Sequence, residues 1–296
     1  MQREGGKLPL STLFEKRQKT KISGAQGLTK QKNNSTMTSR REEITIKTKI
    51  VERDPKKIFS KPRSPLHDNV VEFEVYGDFA LFSDPIMKVG GEKFSYQVPT
   101  YSALRGVLEG IYFKPTFLWV IDEVRVMNPI QTETIDMKPM KYFSSGNDLS
   151  YYTFLYNVRY QVRAHFEWNL NYPQFANDRN TAKHFEIAKR MIRRGGRHNI
   201  YLGTSECFAY VEPCKYGSDT SAYDAIPELS FGLMFHSFTY PEEAYSKDTA
   251  GMLTAHFWRP TMRNGIIKFE RPENCPVHKP IREYPFKDFE VKEETS

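Results

Sequence analysis

Cysteine is scarce in this chain. Cys207, Cys214 and Cys275 are the three among 296 residues. They cannot all pair with one another, and no CxxC pair offers a zinc site. A reducing, cytoplasmic setting is the expectation. No apolar run approaches the roughly 18 residues of a membrane span; Phe117–Ile121 is among the longest. The start is charged and lacks the apolar stretch of a secretory signal, so no membrane partner is expected. HExxH, P-loop and GxSxG sequences are absent, which removes the commonest metalloprotease, nucleotide-hydrolysing and serine-hydrolase signatures. What is present is core-forming material: 39% hydrophobic and 14% aromatic residues. That excludes wholesale disorder, and the length suits one or two domains.

The formal net charge of +7 is not spread evenly. Residues 1–68 hold 17 Lys and Arg against 7 Asp and Glu, while the other 228 residues carry 26 basic and 29 acidic groups. The high isoelectric point therefore belongs to the N-terminal segment. Any nucleic-acid reading of the body must rest on local clustering instead. Residues 1–68 read as a basic, disordered or loosely attached extension with a proline-rich linker at Pro55, Pro62 and Pro65. In composition the leader resembles a transit peptide, or an over-extended start with Met37 as an internal initiator. Non-specific duplex DNA binding, if present, would draw on this tail.

Residues 69–213 read as one domain. Val71, Phe73 and Val75 alternate with Glu72, Glu74 and Tyr76, as in a half-buried strand. Thr100 can cap a helix whose Leu104, Val107, Leu108 and Ile111 form an apolar stripe, and Pro115 forces its end. Strands are predicted over Phe117–Met127 and Val158–Trp168. A second helix runs from about Thr181 to Arg194, capped by Asn180 or Thr181 and stopped by Gly195-Gly196. Another strand follows over Glu206–Val211. The order βαββαβ is that of the ferredoxin-like, RRM-like split βαβ fold, an α+β class that houses many RNA-binding modules. Residues 214–296 read as a C-terminal antiparallel β extension. It has strands over Leu229–Phe238, Met252–Trp258 and Ile266–Phe269, a hairpin turn at Asn264-Gly265, and a tail only partly ordered from Pro276.

Chemistry-bearing residues concentrate on the second helix. Lys183 and His184 stand in its first turn, where free N–H groups and the helix dipole favour a phosphate. Lys189, Arg190, Arg193, Arg194 and Arg197 follow on its polar side and end. The pattern fits a solvated basic helix bearing one surface histidine first, and a phosphate clamp with a proton-transfer group second. Tyr112 ends the first helix seven residues after Arg105. It reads as a packing residue or, because both helices of a split βαβ fold lie on one side of the sheet, as a residue that converges with Lys183 and His184. His165 and Glu167 share a strand face without a third ligand at a recognisable spacing, so no metal site is expected. His236 and His256 fall in predicted strands as core histidines.

Several motifs carry a resemblance. These are Tyr76-Gly-Asp-Phe-Ala-Leu-Phe82, Gly90-Gly-Glu-Lys-Phe-Ser-Tyr-Gln-Val-Pro-Thr100, Tyr112-Phe-Lys-Pro115, Arg125-Val-Met-Asn-Pro-Ile130, Asp178-Arg-Asn180 with Lys183-His184, Gly195-Gly-Arg197 and Arg271-Pro-Glu-Asn-Cys-Pro276. Together they resemble the crRNA-processing subunit of subtype I-C CRISPR Cascade, a family of the RAMP superfamily, from about Asn69 to Glu290. The resemblance implies a prokaryotic, metal-independent endoribonuclease with no cofactor. Such an enzyme cuts the repeat hairpin of precursor crRNA and stays on the mature crRNA 5′ handle, beside the backbone-forming and large subunits of Cascade. It implies an active site of Tyr112, Lys183 and His184. In that chemistry a ribose 2′-OH attacks the adjacent phosphate, leaving 2′,3′-cyclic phosphate and 5′-OH ends. His184 would transfer protons, Lys183 would stabilise the phosphorane and Tyr112 would position the reacting groups. RNA-backbone contacts are expected at Lys88, Lys93, Arg105, Arg190, Arg193, Arg194 and Arg197. The alternative within the same assembly is a non-catalytic subunit that holds the 5′ handle.

Overall fold

The computed structural model describes residues 69–83, 92–138, 140, 146, 149–247, 249–287 and 289. The basic extension, Lys88 and the Gly90-Gly91 pair lie outside these residues. Strand β1 (Val71–Ala80) keeps the predicted alternation, with Val71, Phe73 and Val75 wholly buried. After β2 (Lys93–Phe94) comes helix α1 (Tyr101–Ile111). It begins where Thr100 accepts a hydrogen bond from the Ala103 N–H at 3.2 Å and buries Leu104, Val107, Leu108 and Ile111. The chain then turns extended at Tyr112, ahead of Pro115. Strand β3 (Phe117–Val126) alternates cleanly through Phe117, Trp119 and Ile121, then shifts phase, because Asp122 bulges out of its pairing with β5 (Ser150–Trp168). Helix α2 (Thr181–Arg193) starts on Asn180, whose side chain accepts from the Lys183 N–H at 3.1 Å. It ends where Gly195 and Gly196 take φ of 84° and 107°.

With β7 (Phe208–Pro213), four antiparallel strands stand in the order β7-β1-β5-β3. Along the chain they run β1-α1-β3-β5-α2-β7, so the predicted ferredoxin-like order is the observed one. α1 packs on β3, α2 packs on β7 and β1, and the two helices touch. Among the described residues, six further strands widen this sheet to ten. β6 (Ile200–Tyr201) lies outside β7, β2 and β4 (Thr132–Met137) pair with the near half of β5, and β12 (Ile266–Lys268), β11 (Thr261–Arg263) and β8 (Leu229–Ser230) continue beyond β3. The predicted turn between β11 and β12 is present, with Asn264 and Gly265 at φ 49° and 78°. The expected strand Leu229–Phe238 is two strands, β8 and β9 (Met234–Thr239), separated at Gly232 with φ 73°. β9 joins β10 (Met252–Trp258) and β13 (Val277–Glu283) in a separate three-stranded sheet. Within the segment after Pro276, β13 is a strand. All seven of its side chains are exposed, so no alternation marks it, and it is held by backbone pairing to β10.

Three histidines outside the helices tie pH to stability. His236 donates from Nε2 to the Glu270 carbonyl at 3.0 Å and stacks on Tyr101. Burial pushes its pKa down to about 3, and that of His256 down to about 4. His165 lies between Asp122 and Glu167. Burial alone would lower its pKa, but the hydrogen bonds and charges of those carboxylates outweigh this and raise it. The unfolded chain binds the His236 and His256 protons near pH ~6.5 while the folded chain refuses them, so stability falls as pH drops below ~6.5, by up to ~1.4 kcal/mol per pH unit for each group. The His165 contribution is full below ~6.5 and is lost as pH rises through its raised folded value. Thermal unfolding followed from about pH 5 to about pH 8 should therefore peak near ~6.5. His236→Asn should flatten the acid limb whatever its own Tm; an acid limb of unchanged slope contradicts the assignment.

Candidate active site

The sequence places His184 on a helix with a basic polar side, but i, i+4 spacing puts it in line with Ala188 and Ile192, the buried stripe of α2. Its ring is 0% exposed. The expectation of a surface histidine on a solvated helix is thereby corrected. Phe117, Trp168 and Tyr112 stand around it, with ring centroids 5.3, 5.8 and 6.0 Å away. Both ring nitrogens are engaged. Nε2 lies 2.8 Å from the Asp178 carbonyl oxygen, and Nδ1 lies 2.8 Å from the Tyr112 hydroxyl. A carbonyl only accepts, so Nε2 carries the proton; in the neutral ring Nδ1 then offers its lone pair and Tyr112 donates to it. The C-cap of α1 and the first turn of α2 thus meet through one hydrogen bond across 72 residues of sequence. That is the convergence expected of two helices on one side of the sheet.

Tyr112 stays a phenol at neutral pH. Burial, then the charge of Asp178, push its pKa up to about 12, partly opposed by Arg197 and Arg190. Its hydroxyl is therefore a donor and a hydrogen-bond relay, not a free phenolate. Trp119 Nε1 donates to the Tyr112 carbonyl at 2.8 Å and fixes the backbone there. Lys183, next to His184 but turned outward, has its side chain 53% exposed and reaches the Asp178 carboxylate at 2.6 Å.

Asp178 is the residue that sequence reasoning missed, although it opens the quoted Asp178-Arg-Asn180 motif. One carboxylate oxygen accepts from Lys183 and the other from the Thr116 hydroxyl at 3.0 Å, while its carbonyl holds His184. Burial would raise its pKa; the hydrogen bonds from Lys183 and Thr116 more than offset this and keep it below the usual carboxylate value. Arg179 braces this turn by donating to the carbonyls of Asn169 and Tyr172. An acid two residues before a helix cap and five before a lysine was the available signal. Among the described residues, no three His, Cys, Asp or Glu side chains converge into a metal-holding group.

Against this geometry, residues 70–270 match the Cas5d family, described as CRISPR-associated protein (Cas5). The chain belongs to the Cas5d family. Two curated relatives carry the name CRISPR pre-crRNA endoribonuclease Cas5d. That of Mannheimia succiniciproducens is 29% identical over 227 residues, covering 67% of this chain and 94% of the relative. That of Thermus thermophilus is 30% identical over 182 residues, covering 58% and 75%. Among solved structures, a CRISPR-associated protein shares 34% identity at a TM-score of 0.59, covering 71% of this chain and 96% of that one. A functionally uncharacterized protein of Streptococcus mutans, SMU1763c, shares 38% at the same TM-score and coverage. The family resemblance read from the motifs is borne out.

In this Cas5d-family chain the remaining candidate cations separate into groups. Arg190, Arg194 and Arg197 are exposed and form no ion pair among the described residues, and Arg193 is exposed beside them. The Arg197 and His198 N–H groups both donate to the Gly110 carbonyl, which ties the segment after α2 to the end of α1. Lys93 lies apart, over the Tyr152 ring at 4.4 Å. Arg105 corrects its assignment as an RNA contact. Its Nε donates to Glu109 at 2.9 Å and its two other nitrogens clamp the Glu243 carboxylate, one of them at 2.7 Å. Each of its three nitrogens donates to a carboxylate within the protein, holding the turn Pro241–Glu243 on α1. No helix among the described residues is long and apolar enough to cross a membrane.

Proposed function

We propose that this chain is a precursor-crRNA endoribonuclease, as its Cas5d relatives are named. It cleaves the CRISPR repeat hairpin without a metal and remains on the 5′ handle as a subunit of Cascade, beside the backbone-forming and large subunits. The observation that carries this reading is the Tyr112–His184 hydrogen bond at 2.8 Å with exposed Lys183 adjacent to it. The substrate 2′-OH donates to the Tyr112 oxygen, whose own proton is already directed at Nδ1 of His184. As the 2′-oxygen attacks phosphorus, the 2′-OH proton passes to Tyr112 and the tyrosine proton to His184, so no free phenolate forms. The P–O5′ bond breaks, the 5′-oxygen takes a proton from the Lys183 ammonium, and a 2′,3′-cyclic phosphate remains. Lys183 stabilises the equatorial oxygens on the way. Having no exposed surface, His184 is a positioning residue that acts through Tyr112. Its imidazolium is supported by the Asp178 carbonyl and by a carboxylate oxygen 3.4 Å away.

Burial of both Tyr112 and His184 favours a second reading, in which the pair locks α1 to α2 and the chain only holds the 5′ handle. Incubating the full chain with labelled repeat hairpin in EDTA separates the two. The nuclease reading expects one cut at a fixed position; stable binding with no cut supports the handle-holding subunit.

Backbone recognition is expected from the exposed cations after and along α2. Changing Arg190 and Arg194 together to alanine should weaken binding and lower the slope of log affinity against log salt by about 1.5 to 2, as two phosphate contacts are lost. An unchanged slope would remove both residues from the interface. Any duplex DNA binding that draws on residues 1–68 should vanish when they are deleted.

A further inference from the structure

Along β7, Ala209 and Val211 turn into the core while Phe208 and Tyr210 turn out, 44% and 55% exposed. Pairing continues this outer face on both sides. Tyr76 of β1 stands opposite Tyr210, and Tyr201 of β6, 38% exposed, stands opposite Phe208. The four rings form one chain, with centroid separations of 6.0 Å from Tyr201 to Phe208, 5.2 Å from Phe208 to Tyr210 and 5.7 Å from Tyr210 to Tyr76. An open groove of about 490 Å³ runs along this edge, and Arg194, Arg197 and His198 line it together with Phe208 and Tyr210. One carboxylate, Glu212, also lines it, and it accepts the Tyr76 hydroxyl at 2.6 Å. Arg197 lines the groove.

Three exposed rings and half-buried Tyr76 in a row, beside Arg194 and Arg197 that have no acidic partner among the described residues, match the two needs of single-stranded nucleic acid. Bases stack on the rings and phosphates sit on the cations. Arg194 and Arg197, which form no ion pair among the described residues, favour an occupant that carries phosphates beside its stacking groups. We propose that the ladder Tyr201–Phe208–Tyr210–Tyr76 stacks unpaired nucleotides that flank the repeat hairpin, with Arg194 and Arg197 holding their phosphates. The inference rests on the nuclease reading for the identity of the RNA, and it assigns the flank, not the scissile bond, to this edge of the sheet.

The test uses the full chain and two RNAs, a blunt repeat hairpin and the same hairpin with a short single-stranded flank. Wild-type protein is expected to bind the flanked RNA more tightly. The double variant Phe208→Ala/Tyr210→Ala should lose about 10- to 100-fold of that affinity and bind the blunt hairpin unchanged. Tyr210→Phe should retain the affinity, since a ring and not a hydroxyl is required. An abasic flank bound by wild-type protein should reproduce the loss, because its phosphates remain while its bases are gone. The proposal is overturned if the flank brings wild-type protein no advantage, or if the double variant weakens both RNAs equally. It is also overturned if sedimentation shows that the double variant splits a dimer and that this alone accounts for the loss. Cleavage of the blunt hairpin, scored in the same samples, reports separately on the nuclease reading.

Discussion

Lys183→Ala is expected to slow single-turnover cleavage of the repeat hairpin by about 10²- to 10³-fold, the loss typical of removing one electrostatic stabiliser, and to leave Tm where it was. Its side chain is 53% exposed and its pairing with Asp178 is a surface ion pair, worth little to folding. His184→Ala is also expected to abolish cleavage, but it says less. It leaves the Tyr112 hydroxyl and the Asp178 carbonyl without their partner and opens a void under Phe117 and Trp168, a combined cost of about 2–4 kcal/mol. Tyr112→Phe keeps the ring and its packing while removing the relay hydroxyl, and should lose about 10²-fold or more in rate. Its pH–rate profile should differ from that of Lys183→Ala, because only the former uncouples His184 from the substrate. Wild-type cleavage by Lys183→Ala, measured alongside thermal unfolding, would contradict the mechanism.

The second large effect is on stability. Arg105→Ala should cost about 3–5 kcal/mol in urea unfolding, the range for breaking a buried ion pair by removing one partner, and should leave the RNA affinity of the folded protein unchanged. The guanidinium and the Glu243 carboxylate have side chains only 17% and 14% exposed, and Glu109 shares the same cation. Removing Arg105 strands two carboxylates against α1. A companion Arg105→Met/Glu243→Leu variant should recover much of the loss, since well-packed apolar groups replace a buried pair at little cost. A loss below about 1 kcal/mol together with weaker RNA binding would restore Arg105 to the RNA interface.

Local rules made much of the fold legible. Thr100 and Asn180 cap their helices as their chemistry predicts, Asn264-Gly265 makes its hairpin, and the period-two pattern of β1 gives the right face. These features carry their information within a few residues, and strung together they gave the split βαβ order. What was not legible depends on distant partners. β4 is exposed along most of its length and exists because β5 extends far enough to pair with it. The Asp122 bulge interrupts the alternation of β3 and frees a carboxylate for His165. β13 has no buried face at all. At the site, the family resemblance points to Tyr112, Lys183 and His184, and the spacing of His184 to Ala188 and Ile192 encodes its burial. Asp178 acts through a backbone carbonyl and two side-chain contacts that only the folded turn creates, and the loss of Arg105 to Glu243 spans 138 residues.

Cleavage in EDTA of a repeat hairpin carrying a single 2′-deoxy nucleotide at the mapped scissile position, beside the all-ribose RNA, decides whether the substrate supplies its own nucleophile. The all-ribose RNA should be cut to a 2′,3′-cyclic phosphate and a 5′-OH, while the deoxy RNA should bind equally well and stay intact. Cleavage of the deoxy RNA would contradict 2′-OH attack, because the attacking oxygen would then have to come from water and not from the substrate.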